Sequence, residues 1–286
     1  MKVAAEDRVI APGLYLVATP IGNLEDMTMR ALRILRGVDK IACEDTRQTS
    51  KLLAHYGIET ATVSYHMHNE VARTEELIAE LRAGGRVAVV SDAGMPGIAD
   101  PGAQVVAAAI GAGISVFPVP GANAALSALI ASGLGAERFS FYGFLPAKGG
   151  ARRSFLEELF KESGGGTMIF YEAPHRIVEA LEDVCAVFGV GHRVALGREI
   201  TKLHEEFLRG SAGEVLAALR GRESVRGEMV LLLSGERVQV EAVASVRAAV
   251  GALVSEGMSE KDALKRVAKE RGMGKSDAYR EWQRGK

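Results

Sequence analysis

The feature that most constrains this chain is a regular alternation of short apolar runs with segments of helical periodicity. Residues 14–18, 41–43, 62–65, 87–90 and 115–118 are apolar runs of strand length, and each precedes a helix-like pattern. Buried parallel strands joined by crossover helices produce such a pattern, so the N-terminal part is expected to be α/β. A second series of strands is expected at 139–144, 168–171, 194–196, 206–209 and 229–233. Between the two series the small-residue stretch 124–132 reads as a helix that bridges two α/β layers. After Gly235 the strands stop, and residues 243–254, 261–271 and 276–284 read as helices, with Ser259 and Ser276 as N-caps. The expected organisation is an N-terminal α/β domain (1–122), a second α/β domain (123–236) and a helical tail (237–286). Residues 163–166 read as a flexible glycine-rich loop.

Composition narrows the function classes. The chain has 286 residues, 35 Lys and Arg against 36 Asp and Glu, and no apolar run of the roughly 20 residues that a membrane span needs. A polycation that binds nucleic acid indiscriminately is excluded, so any RNA contact must be a local patch. The N-terminal segment alternates charged and small residues without the apolar core of a signal peptide, which makes a cytoplasmic location the expectation. Cys43 and Cys185 are far apart in sequence and read as core thiols. His66 and His68 lack companions at ligand spacing, so no metal site is expected. Gly274-Lys275-Ser276 looks like the end of a phosphate-binding loop, but Lys269 stands where its first glycine is required and no strand precedes it.

Five segments carry the chemistry. Ala18 to Leu24 follows the first strand, with Pro20 stiffening the turn and Gly22 permitting close backbone approach. Residues 89–102 form a loop too long and too rigid for a minimal connection, which favours ligand binding. There Asp92 is the expected acceptor for a ribose or ammonium group, whereas Asp100 before Pro101 reads as a loop anchor or cap. Asn123 and Ala124 lie where a strand meets the small-residue helix, whose N-terminus attracts anions. In the second series, Glu172, His175 and Arg176 end one strand, and Glu199, Ile200 and Lys202 end the next. Charges gathered at two strand ends suggest a site.

The phrases ATPIGNLEDMT, CEDTRQTSKLL, SDAGMPGIADPG, FYGFLP, EAPHR and GREITKLHEE together closely resemble the tetrapyrrole-methylase superfamily, and within it the branch that methylates small-subunit ribosomal RNA. Met95 departs from the threonine usual in that branch, and Ala173 from a frequent serine. The resemblance implies two α/β domains with S-adenosyl-L-methionine in a cleft between them, usually in a homodimer. It places Pro20, Asp92, Ala93, Gly94, Met95, Asn123, Ala124, Glu172 and Ile200 on the cofactor. It also implies transfer to the ribose 2′-oxygen of a decoding-centre cytidine of 16S ribosomal RNA, position 1402.

A ribose hydroxyl is a poor nucleophile at neutral pH, so a base or cation should assist; Lys202, Glu199 and Glu172 are the candidates. Arg47, Lys148, Arg152, Arg153 and Arg176 are the candidate contacts to RNA phosphates, Lys148, Arg152 and Arg153 in or beside a mobile glycine-rich segment. Lys261, Lys265, Arg266, Lys269, Arg271 and Lys275 give the tail a basic face suited to RNA, with packing against the second domain as its alternative. Methylation of a small tetrapyrrole, or a ribosome-assembly factor that binds the cofactor without turnover, are the competing readings.

Overall fold

The computed structural model describes residues 9–162, 165–236, 246–255, 257–270 and 274–283. The chain forms two compact units that part after Glu236.

In the first unit, five parallel strands, β1 (Gly13–Val17), β2 (Lys40–Cys43), β3 (Thr62–Ser64), β4 (Arg86–Val90) and β5 (Val116–Val119), form a sheet in the order β3-β2-β4-β1-β5. Helices cover both faces, as the period of two in the strands requires. Tyr15, Val17, Ile41, Cys43, Ala88 and Val90 point to α1 (Met29–Gly37) and α2 (Thr46–His55). Their alternating neighbours Leu14, Ala42, Val87 and Val89 point to α3 (Glu70–Arg82) and α4 (Ala103–Gly111). Thr28 caps α1 by accepting the Ala31 N–H at 3.1 Å, which starts the helix at the end of the first-strand loop.

The chain leaves β1 to build β2 and β3 on one side, then returns through β4 before β5 closes the other side. This reversal sets the C-terminal ends of β1 and β4 side by side, the place where open α/β sheets leave a crevice.

A second sheet has the order β6-β7-β10-β8-β9, formed by β6 (Phe139–Phe144), β7 (Thr167–Glu172), β8 (Arg193–Arg198), β9 (Glu206–Ser211) and β10 (Met229–Leu233). Only β6 and β7 run parallel; the other neighbours are antiparallel. On one face, Met168, Phe170, Val194, Leu196, Leu231 and Leu233 pack on α6 (Gly149–Glu162), α7 (Ile177–Phe188) and α8 (Ala212–Arg220). On the other, Ile169, Ala195, Val230 and Leu232 receive α5 (Ala124–Ser132), which spans the expected 124–132, together with Ile21 from the first-strand loop. The small residues Ala125 and Ala128 let α5 lie close to this sheet.

Glycine at 149 and 150 opens α6 rather than forming a mobile loop, and this corrects the expectation for Arg152. Arg152, Leu156 and Leu159 share the buried stripe of α6, and the Arg152 Nε donates to Asp183 of α7 at 2.7 Å with both side chains at most 3% exposed. Arg152 therefore locks α6 to α7 and is not available to RNA.

The second unit contains α9 (Val246–Ser255), α10 (Glu260–Glu270) and α11 (Lys275–Gln283), closed around Val250, Ala263, Val267, Ala268, Ala278 and Trp282. Lys261, Lys265, Arg266 and Lys269 stand exposed on α10. Ser259 caps α10, its Oγ accepting the Asp262 N–H at 3.2 Å. The corresponding cap of α11 is Gly274, whose carbonyl accepts the Ala278 N–H, so Ser276 is the second residue of the helix instead of its cap. Residues 243–245, Ser163, Gly164, Arg271 and Arg284 lie outside the described residues. Among the described residues no helix is long and apolar enough to cross a membrane.

Removing one partner of a buried ion pair strands the other's charge. Asp183→Ala is expected to lower stability by about 3–5 kcal/mol, read as a drop in the urea midpoint.

Candidate active site

The loops after β1 and β4 are joined by a short antiparallel clasp. Thr19 N–H donates to the Gly94 carbonyl at 2.9 Å and Gly94 N–H to the Thr19 carbonyl at 3.1 Å. The Thr19 hydroxyl adds a bond to the Ser91 carbonyl at 3.1 Å. Gly94 has φ +82°, a conformation that costs a residue with a Cβ about 1–2 kcal/mol. With the loops fixed in this way, a cleft of about 370 Å³ opens between the first-sheet loops and the strand ends of the second sheet. That volume lies within the range of small-molecule and cofactor sites.

Ile21, Ala93, Gly94, Met95 and Asp100 line the cleft from one side, Asn123 and Ala124 from the N-terminus of α5, and Tyr171, Glu172, Ile200, Glu228 and Met229 from the second sheet. Seven of the nine residues expected on the cofactor thus meet there: Ala93, Gly94, Met95, Asn123, Ala124, Glu172 and Ile200. Pro20 is buried beside the lining without forming it. Asp92 points elsewhere, its Oδ1 accepting the Asp45 N–H at 3.2 Å, and ties the β4 loop to the start of α2.

The two aspartates of the long loop have exchanged their expected places. Gly102, not Asp100, precedes α4, and Asp100 faces the cleft. Its neighbour Ala99 has φ +62°, unusual strain for a residue with a Cβ and a frequent companion of functional loops. Burial, reinforced by the nearby charges of Glu44 and Asp92, pushes the Asp100 carboxyl up to about 6, with Ser91 acting in the opposite sense.

Glu172 lies at the inner end of β7 and is fully enclosed. Its Oε1 accepts the Ala173 N–H at 2.8 Å, and Arg176 approaches the two carboxylate oxygens at 3.2 and 3.3 Å. Burial nevertheless raises its proton affinity above the ordinary value, against Ala173 and the charges of Arg176, Arg152 and His175. Arg176 also donates to the Leu145 carbonyl, so it braces Glu172 and the FYGFLP strand end. Occupied in this way, it is not free to take a phosphate, contrary to expectation.

Lys202 and Glu199 are not lining residues; they flank the cleft beside Ile200 and Glu228, which are. The Lys202 ammonium lies 2.9 Å from both Glu199 and Glu228, and a Cβ on Gly22 would fall 2.3 Å from the Lys202 Cγ. Gly22 is therefore required by the passage of this side chain. Burial works against the charge on Lys202, but its two carboxylate partners win and raise its proton affinity. The hydrogen bond from Lys202 correspondingly holds Glu199 below the ordinary carboxylate range. Glu199 and Thr201 adopt φ +50° and +69°, held by the hairpin beneath, where Arg198 and Arg222 grip Glu206 at 2.9 and 2.6 Å.

Arg47 is exposed and paired with Asp45 at 2.8 Å, while Arg153 is exposed and paired with Asp183; Lys148 is exposed just before α6. His66 accepts the His68 N–H in the loop before α3. Among the described residues no group of His, Cys, Asp or Glu is placed to hold a metal ion.

Asp100, Tyr171, Phe144 and Glu228 are lining residues that the motif reading missed. Tyr171 and Phe144 were signalled only by their strand-end positions.

A cleft at the switch point of a parallel sheet, capped by a mixed second sheet, defines the class. The sequence model for tetrapyrrole (corrin/porphyrin) methylases matches residues 13–216, and the chain belongs to this family of methyltransferases. It is 49% identical to the Ribosomal RNA small subunit methyltransferase I of Halalkalibacterium halodurans, across 93% of both chains. Identity to the protein of the same name from Bacillus subtilis is 45%, over 93% of this chain and 92% of that one. With that of Escherichia coli O157:H7 it is 44%, over 93% of both. Among solved structures, uroporphyrin-III-C-methyltransferase from Thermus thermophilus shares the fold with TM-score 0.53 and 22% identity, covering 78% of this chain and 94% of that one. Diphthine synthase shares it with TM-score 0.57 and 15% identity, covering 77% and 89%.

A carboxyl whose proton affinity is raised by folding stabilises the fold at low pH, and that contribution is lost as pH rises through the folded-state value. For Asp100 the window runs from 3.8 to about 6. Asp100→Asn should therefore melt at higher temperature than the parent above pH 6, with the advantage vanishing below pH 4.

Proposed function

We propose that this protein transfers the methyl group of S-adenosyl-L-methionine to the 2′-oxygen of a decoding-centre cytidine, position 1402, in 16S ribosomal RNA. The observation that carries the reading is the cleft itself: apolar walls with the carboxylates of Asp100, Glu172 and Glu228 at strand ends, in a chain 44–49% identical over nearly full length to relatives named as small-subunit ribosomal RNA methyltransferases.

The chemistry of the lining suits this cofactor. Its sulfonium and ammonium are cations, which the acidic lining favours, and its adenosine needs apolar contacts such as Ile200, Ala124 and Met229 offer. Close approach to the loop backbone is possible where Gly94 carries no side chain. When bound, the cofactor supplies an already activated methyl group, so the protein's task is alignment and removal of a proton. In this reading Ala93, Gly94, Met95, Asn123, Ala124, Glu172 and Ile200 hold the cofactor, with Pro20 and Asp92 shaping the loops behind them. Glu172 fixes the inner wall. Lys202 and Glu199, tied to Glu228, position the rim and keep a cation where the substrate enters.

RNA phosphates are repelled by the acidic lining and belong outside the cleft. Arg47, Lys148 and Arg153 are the exposed cations of the first unit suited to them, and Lys261, Lys265 and Lys269 those of the tail. Phe144 stands at the cleft 56% exposed, its ring meeting Tyr171 edge-on at 5.7 Å, and its open side offers a surface on which an unstacked base can rest. Residues 1–122 and 123–236 then act as the two jaws, and 237–286 as an RNA-docking tail. The reading includes a homodimer, for which the exposed apolar side chains of Leu126 and Ile130 on α5 offer surface, and a cytoplasmic location.

Transfer of labelled methyl from S-adenosyl-L-methionine to small ribosomal subunits lacking the modification, with mass spectrometry of the product, tests the proposal. A ribose methyl on the decoding-centre cytidine is expected. Methylation of a tetrapyrrole instead, or cofactor binding without transfer to subunits or naked RNA, would replace it with one of the competing readings.

A further inference from the structure

Three carboxylates line the cleft and a fourth stands on its rim, and their partners separate them. Glu172 is enclosed, with its oxygens committed to the Ala173 N–H and Arg176. Glu228 is mostly exposed and bonded to Lys202 at 2.9 Å. Glu199 receives both Lys202 and the Glu228 N–H at 2.9 Å, which weakens it as a base. Asp100 differs from all three: among the described residues it has no ion pair, and it faces the cleft opposite Tyr171 of β7.

Its position is also held in place. The loop closes on itself through Gly97 N–H to the Pro101 carbonyl at 3.2 Å and Ile98 N–H to the Met95 carbonyl at 3.3 Å, and the strained Ala99 sits inside the first of these closures. A strained, over-determined loop that delivers one unpaired carboxylate to a cleft is arranged for a task that a cap or anchor does not need.

We propose that Asp100 is the proton acceptor for the ribose hydroxyl, a catalytic residue presented by the loop after β4. The inference rests on the ribose-methylation reading above. As the ribose oxygen forms its bond to the methyl carbon, the carbon–sulfur bond breaks and its electron pair stays on sulfur, which becomes neutral. The hydroxyl proton passes to a carboxylate oxygen of Asp100 and leaves later to solvent. The groups that face Asp100 are Glu44 after β2, Asp92 and Ser91 after β4, and Tyr171 of β7. Burial, with the two acids adding to it, raises its proton affinity toward neutrality, where a general base is most effective, and the positive charge of a bound sulfonium would favour its ionised form.

Single-turnover transfer at saturating cofactor and RNA, measured against pH, is the test, with cofactor affinity measured separately by calorimetry. Asp100→Asn is expected to slow transfer about a hundredfold or more and to abolish the wild-type rise in rate through the titration of Asp100. Cofactor affinity should fall as well, because a charge that favours the sulfonium is lost, so the deciding readout is the loss of rate that persists at saturating cofactor. Asp100→Glu, which keeps a carboxylate, should recover most of the rate, and it carries the test should the asparagine variant fail to fold. Transfer by Asp100→Asn at the wild-type rate would overturn the proposal. So would a loss of cofactor affinity with the saturated rate intact, because Asp100 would then be a cofactor ligand. Wild-type protein that binds cofactor but methylates no ribose would overturn the ribose-methylation reading, and this inference with it.

Discussion

The site depends on two backbone hydrogen bonds, the reciprocal pair between Thr19 and Gly94. They connect the loops that leave β1 and β4, the adjacent strands at which the chain reverses its direction across the first sheet. Without them the long loop would have no fixed relation to the first-strand loop, and Ala93 to Asp100 would not form one wall. Gly94 is the residue that makes the pair possible, because the carbonyl and N–H that it offers Thr19 require a left-handed backbone.

The opposite wall is set by packing. Ile21, from the loop held by the clasp, joins Ala125, Ala128 and Leu129 of α5 against Ile169, Ala195, Val230 and Leu232 of the second sheet. The loop that shapes the first wall is thereby seated on the sheet that supplies the second, and the cleft between them has a defined width. On the far face of that sheet, Arg152 and Asp183 hold α6 to α7, and Arg176 carries the support back to Glu172. Charge is consequently distributed with a purpose: paired carboxylates shape the inner wall and rim, and the unpaired one faces the space where chemistry would occur.

Much of this was legible in the sequence because it follows from periodicity. Ten expected strands became ten strands, and the small-residue stretch 124–132 became α5. The resemblance to the methylase family named seven of the residues that line the cleft, whereas the glycine-rich strand ends by themselves also read as ordinary turns. Side-chain direction inside an irregular loop was not legible. Asp92 and Asp100 are eight positions apart in a segment without a repeat; Asp92 turns to the Asp45 N–H, and the strained turn at Ala99 immediately precedes the inward-facing Asp100. Arg152 was misread for a different reason: its neighbours Gly149 and Gly150 suggested a loop, although its spacing to Leu156 and Leu159 already placed it on the buried stripe of a helix, and Asp183 among Ala180, Leu181 and Val184 offered the matching acid. Residues such as Phe144, Tyr171 and Glu228 belong to three different strand ends, and pairing across the second sheet brings them together.

The central claim is that the cofactor occupies this cleft. Amide hydrogen exchange with and without S-adenosyl-L-methionine addresses it directly. Protection is expected in three separated segments, residues 92–100, 121–124 and 171–174, with little change in the helices of the tail. Protection confined to other segments, or none at saturating cofactor, would contradict the account.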